Sequence, residues 1–382
     1  MKILFTGDIN FRGLLLDSEK SEKIISSVKP YFEKSDFNIV NLETPLADKE
    51  KHAPIEKSGP NLISPPENIV YLNTLGVDVV TFANNHTGDW GEGAVSDTLN
   101  LLSENNIACC GAGENIHRAY DAVRLEKDEV SVSIISVCEN EFGMATENSY
   151  GSAGYNARLL LAQIKKEREI SQYVVVVFHG GHEFNPLPSP DTQDRYRLIC
   201  DMGADAVIAG HTHCPQGYEI YDGKPIIYSM GNFLFRSGGG ANGDWSSERD
   251  SDNSWYYGYM TSLELGNSNI SMEIIPYKYT ELPTVINVFT GKNKSKMLEY
   301  IENLSSIIQN PEILKNYYMG WAYLHQWIPR ICEKDAMGHL NLGRNESYQS
   351  QTVAVFEMYA YKELENAKHW AEKIKELTVM PV

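Results

Sequence analysis

Five short β-like runs in this 382-residue chain end directly in clusters of Asp, Glu, Asn and His. They read Phe5-Thr-Gly-Asp8-Ile-Asn10, Val40-Asn41-Leu-Glu43, Phe82-Ala-Asn84-Asn85-His86, Phe178-His179-Gly-Gly-His182-Glu183 and Ala209-Gly-His211-Thr-His213, and they hold five of the ten histidines. Carboxylate, carboxamide and imidazole donors together suit borderline or hard divalent ions such as Mn, Fe or Zn better than a thiolate site would. In Gly210-His-Thr-His213, two imidazoles two apart on an extended loop point the same way, and each can reach a metal. Asn84-Asn85-His86 offers a neutral oxygen ligand with an adjacent imidazole free to act as an acid. A carboxylate bridging two ions builds a binuclear site about 3.5–4 Å across, which clamps a phosphoryl oxygen and generates hydroxide at neutral pH. Hydrolysis is the chemistry this implies.

One such cluster is more often a turn or a cap than a site, but five at corresponding positions point to shared chemistry. In open α/β sheets, ligands bind beyond the carboxyl ends of the strands, so the five loops are expected to project into one crevice. The strands that would position them are Lys2–Phe5, Phe37–Val40, Val77–Phe82, Val130–Val137, Val174–Phe178 and Ala206–Ala209. Apolar residues at helical spacing fall between them, over Glu19–Lys34, Gly91–Glu104, Asn156–Ile170 and Asp191–Met202, which is the alternation of an α/β domain. Gly217–Tyr221 and Pro225–Ser229 flank an Asp222-Gly223 hairpin signal, and β runs follow at Tyr256–Leu265 and Ile270–Tyr279. The Gly-, Ser- and Asp-rich stretch Ser237–Asn253 reads as a surface loop, with an active-site lid as the other reading. From about Lys294 the pattern is helical, including a long amphipathic stretch over Val353–Leu377, with Trp321, Trp327 and Trp370 expected in its core.

The length exceeds what one core usually supports, so a main unit at residues 1–289 and a helical extension at 290–382 are expected. The formal charge is −18, with 33 basic and 51 acidic residues; residues 290–382 hold eleven of each sign, so all the excess lies upstream. That field repels phosphate backbones and anionic membranes, which argues against nucleic-acid partners. Six cysteines without metal-type spacing, no secretion signal and no apolar run near 20 residues imply a reduced, cytoplasmic protein without a membrane span.

Taken in order, Gly7-Asp8, Asn41-Leu-Glu43-Thr-Pro45, Ala83-Asn-Asn-His86 with Asp89 and Gly91, His179-Gly-Gly-His-Glu183, Gly203-Ala-Asp205, Gly210-His-Thr-His213 and Tyr228-Ser-Met-Gly-Asn-Phe233 resemble the calcineurin-like metallophosphoesterases. More narrowly they resemble the CapA family of poly-γ-glutamate capsule biosynthesis, over about Lys2–Phe235. The resemblance implies a two-sheet α/β/β/α sandwich with a pair of divalent metals at one edge; it stops before the appended C-terminal helical segment, which is read from periodicity alone. It makes Asp8, Glu43, Asn85, His179, His211 and His213 metal ligands, with Asn10 standing where the wider group has His and Glu43 where it has a bridging Asp. It makes His86 the acid that protonates a leaving group, and Glu183, on the His-x-Gly-x-Glu pattern, a second catalytic candidate. Asn84, His182 and Asn232, in the same motifs, are the substrate-binding candidates.

The expected function is metal-dependent hydrolysis of a phosphoester, with a small molecule or a polymer in the metal cleft. The alternatives are a component that binds or exports an acidic polymer without turning it over, and a hydrolase of γ-glutamyl amide bonds. The C-terminal helices are expected to pack on the sandwich or to join two copies of the chain.

Overall fold

The computed structural model describes residues 1–57, 59–236, 253–266, 269–281, 283–325, 346–360 and 363–382. Residues 237–252 of the anticipated loop or lid, and Trp327, lie outside the described residues. The first half runs β1 (Lys2–Asn10), α1 (Ser18–Ile25), α2 (Lys29–Phe32), β2 (Phe37–Leu42), α3 (Ile69–Leu75), β3 (Val79–Thr81), α4 (Gly91–Glu104) and β4 (Ala108–Cys110). It continues with β5 (Ala112–Gly113), α5 (Ile116–Ala119), β6 (Val123–Lys127), β7 (Val130–Cys138), β8 (Gly151–Ser152), α6 (Ala157–Arg168) and β9 (Tyr173–His179). Then come α7 (Pro190–Asp201), β10 (Ala206–Gly210), β11 (Tyr218–Tyr221), β12 (Lys224–Ile227), β13 (Asn232–Phe235), β14 (Tyr257–Leu265), β15 (Ile270–Glu281) and β16 (Thr284–Val288). Among the described residues, four helices close the chain: α8 (Gly291–Ile308), α9 (Pro311–His325), α10 (Glu346–Ala360) and α11 (Leu364–Leu377).

Among the described residues two large sheets form. One has the order β16-β15-β14-β1-β2-β3-β4 with β13 also on β1, and the other β11-β12-β10-β9-β7-β6. Strand β9 shows how they stack. Its sequence Tyr-Val-Val-Val-Val-Phe-His is apolar on both faces, as a strand covered on both sides must be. Val175 and Val177 enter a core shared with Ile3, Phe5, Ile39 and Val79 of the other sheet. Val174, Val176 and Phe178 face a second core with Leu160 and Ile164 of α6, Tyr196 and Ile199 of α7, and Leu314 and Trp321 of α9. On the far side of the first sheet, Ile24 and Ile25 of α1, Leu72 of α3 and Val95 of α4 complete the first core. The layers are therefore helix, sheet, sheet, helix, the expected α/β/β/α sandwich with helices at its C-terminal end. Among the described residues no helix is long and apolar enough to cross a membrane.

The Asp222-Gly223 turn has φ of 49° and 76°, the left-handed pair of a two-residue hairpin. The amphipathic stretch Glu19–Lys34 is not one helix: it stops after Ile25 and restarts at Lys29, where Pro30 is tolerated in a first turn but not inside a helix.

Candidate functional site

Strands β1, β2 and β3 of one sheet and β9 and β10 of the other end side by side, which is why the five clusters converge. At the end of β1 the ladder changes partner: β14 pairs with Lys2–Phe5, and β13 with Asp8–Asn10 across a bulge at Asp8/Ile9. Gly7 permits this. A Cβ there would lie 1.8 Å from the Gly231 carbonyl oxygen, which accepts the Asp8 N–H at 3.2 Å.

Asp8 is fully buried and ties the two sheets together. Its Oδ1 accepts Asn41 Nδ2 at 2.6 Å, and its Oδ2 accepts the His211 backbone N–H at 3.0 Å. The same Asn41 Nδ2 lies 3.2 Å from His179 Nδ1. On the next same-face position of β2's path, Glu43 is fully buried, and neither carboxylate oxygen meets a hydrogen-bond donor among the described residues. Around its Oε1 stand His179 Nε2 at 3.6 Å, His86 Nε2 at 3.9 Å and His213 Nε2 at 4.0 Å. Burial, and then the negative charge of Asp8, pushes the Glu43 carboxyl well above the ordinary carboxylate range.

His179 Nε2 also lies 3.1 Å from Asn85 Oδ1 and 3.1 Å from His211 Nδ1. Donor atoms of Glu43, His179 and His211 fall within 4.8 Å of one another, and so do those of Asp8, Glu43 and His213. Glu43 belongs to both groups, the position of a bridging ligand. Burial holds His179 and His86 below the ordinary histidine value, and burial with the neighbouring imidazoles holds His211 well below it. Neutral rings at His179 and His211 retain the lone pair a metal needs.

The Gly-His-Thr-His segment corrects one expectation. It is not extended: His211 and His213 have φ of 99° and 56°. Their rings meet because the backbone turns between them, a conformation costing on the order of 1–3 kcal/mol per residue and typical of functional sites. Gly210 makes room, since a Cβ there would stand 2.7 Å from Asp8 Oδ1. His213 Nδ1 is 2.9 Å from Asn232 Oδ1, leaving Nε2 toward Glu43, and its ring is walled by Phe235 and Trp255 at 4.7 Å each. Exposed Phe184 stacks on Trp255 at 5.9 Å.

Of the other expected residues, His86 joins the cluster and Glu183 sits exposed at its rim. Asn10 is fully buried; its Oδ1 accepts the Arg12 N–H at 3.0 Å, while Nδ2 has no partner among the described residues. Asn84 holds its own loop, donating to the Leu42 carbonyl at 2.8 Å and accepting the His86 N–H at 3.0 Å. Asn232 accepts from His213 and donates to the Trp255 carbonyl at 3.2 Å. His182 turns to α9, with Nε2 3.2 Å from the Tyr318 hydroxyl and its ring 4.7 Å from Trp321; burial lowers it to about 3. Sequence reasoning gave no role to Asn41, Asp89 or Lys57. Asn41 carried a signal, since it lies two residues before Glu43 and so on the same strand face, and Asp89 lies in a quoted motif. Lys57, in a Pro- and Gly-containing loop, carried none.

The model of the bacterial capsule synthesis protein family PGA_cap matches residues 2–237. The chain is similar to the capsule biosynthesis protein CapA of Bacillus anthracis, with 30% identity over 239 residues, 60% of this chain and 56% of that one. It is similar to the PGA biosynthesis protein CapA of Bacillus subtilis (strain 168), with 27% identity over 261 residues, 65% of each chain. The match thus spans somewhat over half of one relative and about two thirds of the other. Among solved structures, a phosphatase from Mycoplasma pneumoniae aligns over 72% of this chain and 92% of its own, at 15% identity and a TM-score of 0.45. A hypothetical protein from Thermus thermophilus aligns over 72% and 99%, at 17% identity and a TM-score of 0.43. Since the matched stretch is more than half of the chain and contains every candidate ligand, the chain belongs to the PGA_cap family of bacterial capsule synthesis proteins.

Proposed function

We propose that the chain is a metal-dependent hydrolase of the binuclear phosphoesterase type, acting in capsule or poly-γ-glutamate biosynthesis as the names of its relatives suggest. The observation that carries the reading is Glu43, a fully buried carboxylate with no hydrogen-bond donor among the described residues and three imidazole nitrogens within 4.0 Å. A buried charge without donors is costly unless it is paired or coordinates a metal. The surrounding donors fit two divalent ions of the Mn, Fe or Zn type. Glu43, Asn85, His179 and His211 would hold one, and Asp8, Glu43 and His213 the other. When bound, such ions polarise the scissile group and acidify water.

The chain's own residues supply the rest. His86, with Nδ1 on Asp89 Oδ2 at 2.6 Å, presents Nε2 toward the cluster and as imidazolium delivers its proton to the leaving oxygen. Asn41 orients Asp8, and Asn232 orients His213, the supporting contacts that metal ligands generally require. Asn84 supports its loop, and Asn10 the turn at Arg12. Glu183, exposed at the rim, is the group placed to meet substrate. The test is metal analysis of the purified protein, followed by a screen of phosphomonoesters, phosphodiesters and γ-glutamyl amides with Mn added. His86→Asn should keep its metal and lose roughly 10²- to 10⁴-fold in turnover. A protein that takes up no metal sinks the reading, and unchanged turnover in the variant sinks the role of His86. Polyglutamate binding without turnover by the metal-loaded protein would favour the export role instead.

A further inference from the structure

Lysine is almost never fully buried without a specific partner. Lys57 leaves 1% of its side chain exposed and sits behind the proposed acid, contributed by the loop between β2 and α3. Its Nζ is ion-paired with Asp89 Oδ1, lies 3.3 Å from His86 Nδ1, donates to the Asn85 carbonyl at 3.5 Å and stands 5.2 Å from the Phe142 ring centroid. The other oxygen of Asp89, Oδ2, accepts both the Leu62 N–H and His86 Nδ1 at 2.6 Å. The two carboxylate oxygens are therefore assigned: one to the ammonium, the other to the imidazole.

We propose that Lys57 is the positioning residue of His86: by occupying Asp89 Oδ1 it fixes the carboxylate so that Oδ2 receives the Nδ1 proton and Nε2 is held toward the reacting group. This rests on the hydrolase reading above. An Asp side chain can otherwise turn about its terminal bond, and a buried oxygen left without a donor would turn toward any alternative. With Nδ1–H anchored, the ring has one productive orientation. Without the anchor it samples others, and proton delivery suffers where the leaving group most needs it. Substrates that leave easily, such as p-nitrophenolate, need little protonation; simple alkoxides need it fully.

The experiment compares wild type, Lys57→Met and Lys57→Gln, each with Mn, on a p-nitrophenyl ester and on an alkyl ester of the same acid. Lys57→Met should lose roughly tenfold or more in kcat on the alkyl ester, about threefold or less on the p-nitrophenyl ester, with KM and metal content unchanged. Lys57→Gln, which retains an N–H for Asp89, should recover part of the loss and takes over as the test if the Met variant does not fold. In parallel, ¹H–¹⁵N spectra of the metal-free proteins follow the His86 Nδ1–H, expected as a downfield, slowly exchanging resonance in wild type that weakens or shifts in Lys57→Met. An equal loss on both esters, or an unchanged resonance, overturns the proposal and leaves Lys57 as a loop staple. A wild type that hydrolyses nothing defeats the hydrolase reading instead, and the resonance alone then decides whether Lys57 orients His86.

Discussion

Replacing Glu43 with Gln tests the central inference, because it separates the metal-free protein from the loaded one. The Glu43 carboxyl is fully buried and its folded-state pKa stands well above the ordinary value of 4.5. For every tenfold weakening of its acidity the folded chain loses about 1.4 kcal/mol of stability at any pH above the raised value. The sign follows from proton binding: below about pH 4.5 the group is protonated in both folded and unfolded chains and nothing is lost, and the loss grows as pH rises through the raised folded value. Gln keeps the shape and removes the charge, so metal-free Glu43→Gln should match wild type near pH 4 and exceed it at pH 7. Loading reverses the order. At a metal concentration of 100 Kd, two sites stabilise wild type by about 5 kcal/mol, some 2.7 kcal/mol each. With an unfolding entropy of about 2.1 cal/mol/K per residue over 382 residues, that is a rise in Tm of about 6 °C. The variant, lacking the ligand common to both donor groups, should show less than half of it. Scanning calorimetry at pH 4 and 7, with and without Mn, reads all four states. A metal-free variant less stable than wild type at pH 7, or one that keeps the full metal-induced rise, would refute the reasoning.

Two further predictions concern the surroundings. Gly210→Ala would put a methyl group 2.7 Å from Asp8 Oδ1 and displace that carboxylate, so titration calorimetry should show metal affinity about 10- to 100-fold weaker while the fold persists. His182, lowered to about 3 by burial, is neutral in the folded protein while the unfolded chain protonates near 6.5. Stability should therefore fall by about 1.4 kcal/mol per pH unit as pH drops from 6.5 toward 3, and His182→Gln should flatten that part of a denaturation profile; an unchanged slope would contradict it.

How far the sequence could be read depended on which signal each element carried. Helix α4 was legible to the residue, and β9 and β10 nearly so, because their apolar pattern is local. Strand β1 runs on through Thr6-Gly7-Asp8-Ile9-Asn10, where no apolar pattern marks a strand; pairing with β2 and β13, from far along the chain, makes it one. The short strands β4, β5 and β8 were missed for the same reason, and helix α3, only seven residues long, is too short for helical spacing to mark it. The site was legible as a set of donors, since metal-capable residues at strand ends are recognisable one cluster at a time. Its supports were not. Lys57 meets Asp89 across 32 residues and His182 meets Tyr318 across 136, and no spacing announces such contacts.

That difference between donors and supports has a structural cause. The donors come from the ends of strands in two separate sheets, so their mutual distances depend on how the sheets are stacked. The stacking is not set within residues 2–237 alone. Helix α8 inserts Met297 and Ile301 into the first core and Leu304 and Ile308 into the second, spanning both. Helix α9 places Tyr318 and Trp321 against His182, three residues beyond His179, and the Ser347 hydroxyl of α10 donates to Glu139, whose backbone N–H donates to the His179 carbonyl at 3.0 Å. The helices outside the family match thus reach the back of the loop that carries His179. A substitution there can alter the spacing of the donors without touching one of them, as happens where packed interiors transmit small shifts instead of absorbing them.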